Sequence, residues 1–353
     1  MTRAKAYAAH QSNSPLAPWE FERRSLREND VLIDILYCGV CHSDLHAIHD
    51  HSGMGTFPLV PGHEIVGKVR EIGPAVTKVA VGDNVAVGCM VDSCMACDRC
   101  EDHLEHYCRK GATMTYRGRD RITREPTQGG YSDHIVVRED FVLSVPDGLD
   151  LERAGPLLCA GITTWSPLKL WKAGPGTKVA VAGLGGLGHM AVKLAVGLGA
   201  DVTVITTSPS KVDDALALGA SRVLLSSDPA AMKEARSSFN LIIDTVPVPH
   251  DLNPYLSLLD LDGTIVLVGV IQPLPEVDAR VLIMGRRSVA GSMIGGIAET
   301  QELLEFCAEK NILPDCETIA VQDINHAFER MDRNDVKYRF VIDMATLQSE
   351  PAA

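Results

Sequence analysis

A glycine-rich turn lies between two strongly apolar segments in the middle of the chain. The stretch KVAVAGLGGLGHMAVKLAVGLGADVTVITTS reads as a strand, a turn, a helix and a second strand. The spacing of Gly183, Gly185 and Gly188 suits a tight turn, close approach of a pyrophosphate, and packing of the helix on the strand. The free N–H groups at the start of that helix favour phosphate. Because a strand and a helix flank it, the turn predicts a dinucleotide site, to which we also assign Gly186 and Leu187.

The segments on either side of this turn differ in character. After it, strand-like runs such as FNLIIDTVP and GTIVLVGV alternate with helical patterns, which predicts a Rossmann-type, doubly wound parallel sheet over residues 153–295. Residues 1–152 contain short apolar runs separated by Gly and Pro, and they predict a β-barrel-type domain. The apolar segment YRFVIDM can return to that first domain, so we assign residues 296–353 to it. The sequence therefore predicts an α/β protein with two domains.

The end of the second strand indicates which dinucleotide is preferred. An NAD site carries Asp or Glu there, about 20 residues after the turn, to hold the ribose 2′-hydroxyl. This chain has Thr207, Ser208 and Lys211 at that position, while Asp201 lies at the opposite end of the strand. Two hydroxyls and a lysine suit a 2′-phosphate, which favours NADP. The alternative is that Ser208 and Lys211 only cap the next helix.

Five of the ten cysteines lie between residues 89 and 108. Four of them form the pattern C-x2-C-x2-C-x7-C, and they are Cys94, Cys97, Cys100 and Cys108. Closely spaced cysteines on a polar loop suit a structural zinc ion with four thiolate ligands. Redox-active thiols and an iron–sulfur cluster are the alternatives, but a ferredoxin run has a tighter fourth spacing followed by proline. The spacing therefore predicts structural zinc, and Cys89 is expected to be a buried structural thiol.

A second group of metal ligands is scattered over three motifs, YCGVCHSDLH, PGHEIVG and LLCAGITTW. Cys41, His63 and Cys159 from these motifs make a Cys2His set, and three protein ligands with an open fourth position are typical of catalytic zinc. Each residue alone is weak evidence, since a cysteine such as Cys159 in an apolar helix is more often a core residue. Their occurrence together with a nucleotide motif indicates a catalytic site.

The chain resembles zinc-dependent medium-chain dehydrogenases of the cinnamyl alcohol dehydrogenase type. The motifs that carry the resemblance span nearly the whole chain in the family's order, from GVCHSDLH, VPGHEIVG and the four-cysteine lobe to AGSMIGG and DVKYRFVID. The resemblance implies a GroES-like β-barrel catalytic domain, built from both chain ends, and a central Rossmann domain. It also implies that Cys41, His63 and Cys159 hold a catalytic zinc ion.

The resemblance implies further roles near these ligands. Glu64 matches a glutamate that approaches the zinc during ligand exchange, and Asp44 matches a carboxylate that orients the ligand histidine. Ser43 and His46 match the hydroxyl and the histidine of a proton relay. The cofactor-contacting positions implied in the same way are His42 and Thr163.

The implied activity is NADP(H)-dependent interconversion of primary alcohols and aldehydes, with breadth for aromatic and aliphatic aldehydes. One alternative is an NAD-dependent polyol or secondary-alcohol dehydrogenase; in polyol enzymes a carboxylate often replaces Cys159. A zinc-free quinone or enoyl reductase would need neither cysteine group, and a non-catalytic nucleotide-binding protein would lack Ser43 and His46. The segment YRGRDRITREPTQGG, residues 116–130, matches no motif, so the substrate stays unassigned.

Composition limits the partners and the location. The net charge of −13 and the pI near 5.4 disfavour nucleic acid, because phosphate binding needs a basic face. No run reaches the roughly 18 apolar residues of a membrane helix, and the N-terminus has no signal-peptide core. We therefore expect a cytoplasmic protein that acts on a small molecule, without a disulfide framework. The resemblance implies an oligomer, and we expect a homodimer that pairs through the segment from GTIVLVGV to RRSVAGSMIGG.

Overall fold

The computed structural model describes residues 2–50, 53, 55–270, 272–333 and 335–349. Its strands are β1 (Thr2–Ala8), β2 (Ala17–Arg23), β3 (Asp30–Val40), β4 (Ile65–Ile72), β5 (Asn84–Val87), β6 (Met90–Asp92), β7 (Thr113–Met114), β8 (His134–Arg138), β9 (Leu143–Ser144), β10 (Lys178–Ala182), β11 (Asp201–Thr206), β12 (Arg222–Leu225), β13 (Phe239–Asp244), β14 (Leu259–Leu267), β15 (Ser288–Gly291), β16 (Cys316–Ala320) and β17 (Arg339–Asp343). Its helices are α1 (His42–His49), α2 (Asp98–Glu101), α3 (Leu151–Ala154), α4 (Ala160–Leu170), α5 (Gly188–Gly197), α6 (Val212–Ala217), α7 (Pro229–Glu234), α8 (Asn253–Leu256), α9 (Ala279–Ile283), α10 (Ile297–Lys310) and α11 (Ile324–Asp332). Short 3₁₀ helices lie at Glu105–Tyr107, Glu139–Phe141, Gly155–Leu158, Pro209–Lys211, Val321–Asp323 and Met344–Ser349.

The chain divides into two compact units. The first comprises residues 1–159 together with 296–353, and the second comprises residues 160–295. The boundary predicted from the sequence lies at 152/153, because the helical pattern of the second domain begins there in the sequence. In the structure α3 and the following 3₁₀ turn pack against β3 and β4 of the first unit.

The second unit is built on a six-stranded sheet. Its strand order is β12-β11-β10-β13-β14-β15, and every neighbouring pair is parallel. This is the 3-2-1-4-5-6 order of the dinucleotide-binding fold, in which ligands bind beyond the carboxyl ends of the strands where the order reverses. The reversal lies between β10 and β13, so the glycine turn that follows β10 stands at that point. The prediction of a doubly wound parallel sheet is confirmed.

The first unit is strand-rich, with a mostly antiparallel seven-stranded sheet in the order β16-β17-β3-β4-β5-β9 and β8 paired to β3. The long strand β3 is its centre, because β4 pairs along one edge while β8 and β17 share the other. The predicted return of YRFVIDM to the first domain is therefore present as β17. Its apolar core includes Ile33, Ile65, Val85, Ile135 and Phe340.

The longest helix, α10, buries one face. In α10 the buried residues Thr300, Leu303, Leu304 and Cys307 recur at helical spacing, and the helix ends at Asn311 in the left-handed conformation. None of the helices in the described part of the chain is long and apolar enough to cross a membrane.

Candidate active site and metal centres

Four ligand side chains converge in the first unit where loops join the central strands. Cys41 lies between β3 and α1, His63 and Glu64 directly precede β4, and Cys159 follows the 3₁₀ turn that packs on those strands. One ligand atom of each residue lies within 4.8 Å of all the others. The structure thus brings together the three ligands predicted from separate motifs, with Glu64, the expected exchange ligand, beside them.

The geometry of this group fits a zinc ion. The sulfur atoms of Cys41 and Cys159 lie 3.8 Å apart, and two thiolates about 2.3 Å from a tetrahedral zinc would lie about 3.8 Å apart. Hydrogen bonds from Cys159 and then from His63 hold the pKa of the Cys41 thiol well below its ordinary value, although burial opposes them. The thiolate is the form that binds zinc. Two sulfurs and one imidazole leave the fourth position of a tetrahedral ion open.

Asp44, fully buried on α1, organises the ligands. Its Oδ1 accepts hydrogen bonds from the backbone N–H of Gly62 at 3.0 Å and from Nδ1 of His63 at 3.1 Å. Its Oδ2 accepts from the backbone N–H of Cys41 at 2.9 Å and from the hydroxyl of Tyr131 at 3.0 Å. Because the Nδ1–H group of His63 donates a hydrogen bond to this carboxylate, Nε2 carries the free lone pair and is the atom that can bind a metal.

Glu64 is also fully buried, and its partner comes from the far end of the chain. Its Oε1 forms an ion pair with Arg339 of β17 and lies 4.0 Å from Nε2 of His63. Burial raises the pKa of Glu64, and the charge of Arg339 opposes that shift. A Cβ on Gly39 would overlap Oε2 of Glu64, and the φ of Gly39 is not positive. This glycine therefore provides room for the carboxylate and is not needed for a turn.

The residues predicted for the proton relay lie on α1. Ser43 is exposed, and its hydroxyl donates to the sulfur of Cys41 at 3.0 Å, so it stands beside the ligand group. His46 follows three residues later on the same face of the helix and is also exposed. His42, the first residue of α1, is exposed as well. The structure places Ser43 next to a candidate metal ligand and His46 toward solvent.

Two further residues lie near these ligands, and no sequence motif assigns either of them to the site. Cys89, predicted to be a buried structural thiol, is partly buried, and its thiol donates to the carbonyl of Leu158 at 3.6 Å. The ring of Tyr116 is buried and lies 5.5 Å from the ring of His63, and burial, followed by the charge of Asp44, raises the pKa of the Tyr116 phenol. Cys89 was read as the end of an apolar strand, while Tyr116 opens the unassigned 116–130 segment.

The four-cysteine lobe forms a second ligand group. The sulfurs of Cys94, Cys97, Cys100 and Cys108 offer atoms within 4.8 Å of one another. The sulfur of Cys100 lies 3.9 Å from that of Cys94 and 3.5 Å from that of Cys97. Backbone N–H groups of Arg109 and Cys100 lower the pKa of Cys97 to about 6. These separations fit one tetrahedral ion, whereas a cluster of several iron and sulfur atoms would hold the thiolates farther apart.

In the second unit the glycine turn has the predicted geometry. Gly183 has a φ of +89°, which a side chain rarely adopts. A Cβ on Gly188 would overlap the carbonyl oxygen of Gly183, so the helix needs glycine to approach the strand. A Cβ on Gly185 would meet nothing within 4 Å, and this position faces open space where a ligand can approach. Gly186 completes the turn and Leu187 immediately precedes α5.

The end of β11 lies near this turn. Thr207 is exposed, and Ser208 precedes the 3₁₀ turn Pro209–Lys211. Nζ of Lys211 donates to the carbonyl of Leu184 at 2.5 Å, which brings the ammonium to the glycine turn. Burial lowers the pKa of Lys211. The remaining predicted cofactor residue, Thr163, is buried in α4.

Comparison with known proteins identifies the family. A family model described as alcohol dehydrogenase GroES-like domain matches residues 27–147, and one described as zinc-binding dehydrogenase matches residues 186–309. NADP-dependent alcohol dehydrogenase C 1 of Mycolicibacterium smegmatis is 52% identical over 350 residues, which are 99% of this chain and 100% of that protein. The chain belongs to the zinc-binding dehydrogenase family.

Other members support a narrower grouping within the zinc-binding dehydrogenases. Aldehyde reductase YahK of Escherichia coli is 51% identical over 347 residues, covering 98% of this chain and 99% of that protein. The solved structure of a cinnamyl alcohol dehydrogenase from Sorghum bicolor matches with a TM-score of 0.95 at 44% identity, over 99% of this chain and 100% of that one. The resemblance stated from the motifs is confirmed, and so is the combination of a GroES-like and a Rossmann domain.

This zinc-binding dehydrogenase is therefore an oxidoreductase of the alcohol dehydrogenase type. The readings as a zinc-free reductase or a non-catalytic nucleotide-binding protein lose their support, because full-length relatives at about half identity are named as alcohol dehydrogenases and aldehyde reductases.

Proposed function

We propose that this enzyme interconverts primary alcohols and aldehydes with NADP(H), and that each chain holds one catalytic and one structural zinc ion. The observation that carries the proposal is the convergence of Cys41, His63 and Cys159, with the Ser43 hydroxyl 3.0 Å from the Cys41 sulfur. A metal on these ligands would have a proton donor hydrogen-bonded to one of its ligands.

When bound, the zinc ion polarises the substrate oxygen as a Lewis acid and NADPH supplies the hydride. Cys41 and Cys159 would contribute two negative charges to the metal site, and His63 would bind as the neutral imidazole. Asp44 would hold His63 in the tautomer that presents Nε2. Glu64, kept nearby by Arg339, would serve as the exchange ligand.

The proton is handled by α1 in this proposal. The Ser43 hydroxyl would give its proton to the oxygen of the reduced substrate and recover it from His46. His46 is exposed, so its imidazole can take up a proton from solvent again. In the direction of alcohol oxidation the same groups would move the proton outward.

The lobe of Cys94, Cys97, Cys100 and Cys108 would hold the structural ion, since four protein ligands leave no position for a substrate. Backbone N–H groups already hydrogen-bond to these sulfurs: the N–H of Cys94 lies 3.4 Å from the Cys108 sulfur. Such preorganised donors favour the thiolate form.

NADP is proposed as the preferred cofactor. The end of β11 offers Thr207, Ser208 and Lys211 and has no carboxylate at the position where NAD sites carry one. The ammonium of Lys211 is held at the glycine turn by the Leu184 carbonyl, which supports a role near a bound dinucleotide. His42, Thr163 and the turn residues complete the proposed set.

We also propose a cytoplasmic homodimer that acts on a broad range of aromatic and aliphatic aldehydes. β15 is the outer strand of the six-stranded sheet, and Val289 on it and Met293 after it are 39% and 47% exposed, so this edge suits pairing with a second copy. All ten cysteines are free thiols, as a reducing compartment would allow. The acidic net charge argues against a nucleic-acid partner.

The test is Cys159→Ala, with Cys316→Ala as the matched loss of a thiol outside both ligand groups. The Cys159 variant should bind one zinc ion instead of two, lose turnover of aldehydes and still bind NADPH by fluorescence titration. The Cys316 variant should keep two zinc ions and its activity. Full turnover in the Cys159 variant, or one zinc or none in the unmodified enzyme, would refute the proposal.

A further inference from the structure

The 116–130 segment, which no sequence motif explains, contacts three separate parts of the first unit. It begins at Tyr116, whose buried ring lies 5.5 Å from the ring of His63 and is tilted by 51° to it. Near the other end of the segment, the Thr127 hydroxyl donates a hydrogen bond to the carbonyl of Met114 at 2.9 Å. The segment therefore starts beside the candidate zinc ligand His63, and its end returns to the residues just before its start.

The tip of the segment is fixed by Asp120. Its Oδ1 accepts the backbone N–H groups of Ile122 and Thr123 at 2.9 and 2.8 Å, and it accepts from Arg27 at 2.9 Å. Its Oδ2 lies 3.3 Å from Nε of Arg24. Backbone and side-chain donors thus converge on the Asp120 carboxylate. We infer that they hold the turn that carries the next residue, Arg121, in one conformation.

Arg121 reaches the last cysteine of the four-cysteine lobe. One guanidinium nitrogen donates to the carbonyl of Gly111, lies 3.4 Å from the carbonyl of Lys110 and lies 3.9 Å from the sulfur of Cys108. Its Nε is buried and has no hydrogen-bond partner among the described residues. The neighbouring Arg109 differs, since its guanidinium pairs with Asp98 at 2.6 Å.

The negative charge of a zinc-loaded lobe would be stabilised by the Arg121 guanidinium near Cys108. A zinc ion with four thiolates has a net charge of −2, and Cys100 and Cys108 are buried. Hydrogen bonds from N–H groups offset part of that charge, and a guanidinium beside Cys108 offsets a full unit. Groups that contact metal ligands in this way tune the affinity of the metal.

We propose that Arg121 is a positioning residue that neutralises part of the charge of the structural zinc site and anchors the 116–130 segment to it, so that Tyr116 is held beside the ring of His63. The inference rests on the proposed structural zinc ion and goes beyond it, because it links that ion to the substrate side of the active site. The segment of four arginines then has a role that none of the family motifs assigns.

The first test uses Arg121→Met and, as a matched control from the same segment, Arg119→Met, because Arg119 donates only to the exposed carbonyl of Arg124 among its described bonds. Both are made in the Cys159→Ala background, where the lobe holds the remaining metal. Transfer of zinc to the chromogenic chelator 4-(2-pyridylazo)resorcinol should be about 10- to 100-fold faster for Arg121→Met, the range for losing a group that supports a metal ligand. Arg121→Lys should recover much of the loss, since it restores the charge.

A spectroscopic measurement separates charge from general loosening. With Co²⁺ in the lobe, removal of the guanidinium should shift the thiolate-to-cobalt charge-transfer band to lower energy, and Arg119→Met should leave it in place. If Arg121→Met matches Arg119→Met in both release rate and spectrum, the inference is wrong. If the Cys159→Ala protein holds no metal at all, the proposed structural zinc site is wrong, and the inference about Arg121 is then wrong as well.

The link to Tyr116 is tested in the otherwise unmodified enzyme. Arg121→Met should raise the KM for aldehyde several-fold, with a smaller change in kcat, because freeing the segment displaces Tyr116 without removing a zinc ligand or the Ser43 hydroxyl. Faster zinc release with an unchanged KM would show that Arg121 serves the metal alone, and the coupling to Tyr116 would be refuted.

Discussion

Replacement of Asp44 by Asn should damage both stability and metal binding, although the two side chains have the same shape. The carboxylate is fully buried and accepts four hydrogen bonds, two at each oxygen. An amide keeps only one acceptor oxygen. Its NH₂ group fits best on the side of Cys41 and Tyr131, because the Tyr131 hydroxyl can rotate and become an acceptor.

The expected size of the effect comes from these four bonds. The backbone N–H of Cys41 would face an NH₂ group and lose its partner, which costs about 1–3 kcal/mol. The three remaining bonds would lose an ionised acceptor, at about 1 kcal/mol each, and relief from burying a charge offsets part of this total. We expect a net loss of about 3 kcal/mol in the free energy of unfolding. Because His63 also loses its anionic partner, zinc should be released about 10- to 100-fold faster.

The assay is urea unfolding of the zinc-loaded protein together with zinc transfer to a chromogenic chelator. Asp34→Asn is the matched control, since Asp34 on β3 forms an exposed ion pair with Arg70 and should cost less than about 1 kcal/mol. If Asp44→Asn unfolds at the same urea concentration as Asp34→Asn and releases zinc at the unmodified rate, the assigned network does not support the ligands.

Other substitutions test the remaining assignments. Gly39→Ala should destabilise the protein by about 1–3 kcal/mol in urea unfolding, because the added methyl group overlaps the buried carboxylate of Glu64; an unchanged midpoint would contradict this packing. Ser43→Ala should lower turnover by about 10²-fold at unchanged zinc content, and full activity would exclude the relay. Cys100→Ser should reduce the yield of folded protein more than it changes kcat per folded molecule, since structural zinc contributes to folding free energy. Lys211→Glu should raise the KM for NADPH far more than that for NADH at low salt, and equal efficiency of the unmodified enzyme with both coenzymes would refute the NADP assignment.

Features that depend on local spacing could be predicted from the sequence. The glycine turn is defined within a few residues by a strand and a helix, and the parallel sheet around it is confirmed. The four cysteines of the lobe lie close together in the chain, so their convergence needs little more than a loop. Cys41, His63 and Cys159 could be combined only because family motifs surround each of them.

Features that depend on long-range packing could not be predicted. Arg339 lies 275 residues from its partner Glu64, and no pattern in the sequence joins them. Tyr131 approaches Asp44 from the loop before β8, where its backbone N–H bonds to the carbonyl of Pro61, and a folded loop places Tyr116 beside His63. Cys89 ends an apolar run, which predicts burial, but its thiol is only partly buried and bonds to the Leu158 carbonyl, 69 residues along the chain.

The pairing of β17 with β3 has a consequence for synthesis on the ribosome. β8 covers residues 30–34 of the β3 edge, but residues 37–40 wait for β17, and Glu64 waits for Arg339. At about 5–20 residues per second, the 275 residues between Glu64 and Arg339 take roughly 14–55 s to translate. During that time residues 37–40 of β3 lack a strand partner on this edge, and the carboxylate of Glu64 lacks its ion-pair partner. The first unit is thus completed only after the second has been translated, and a nonsense mutation between codons 296 and 339 removes its closing strand while leaving the whole coenzyme domain encoded.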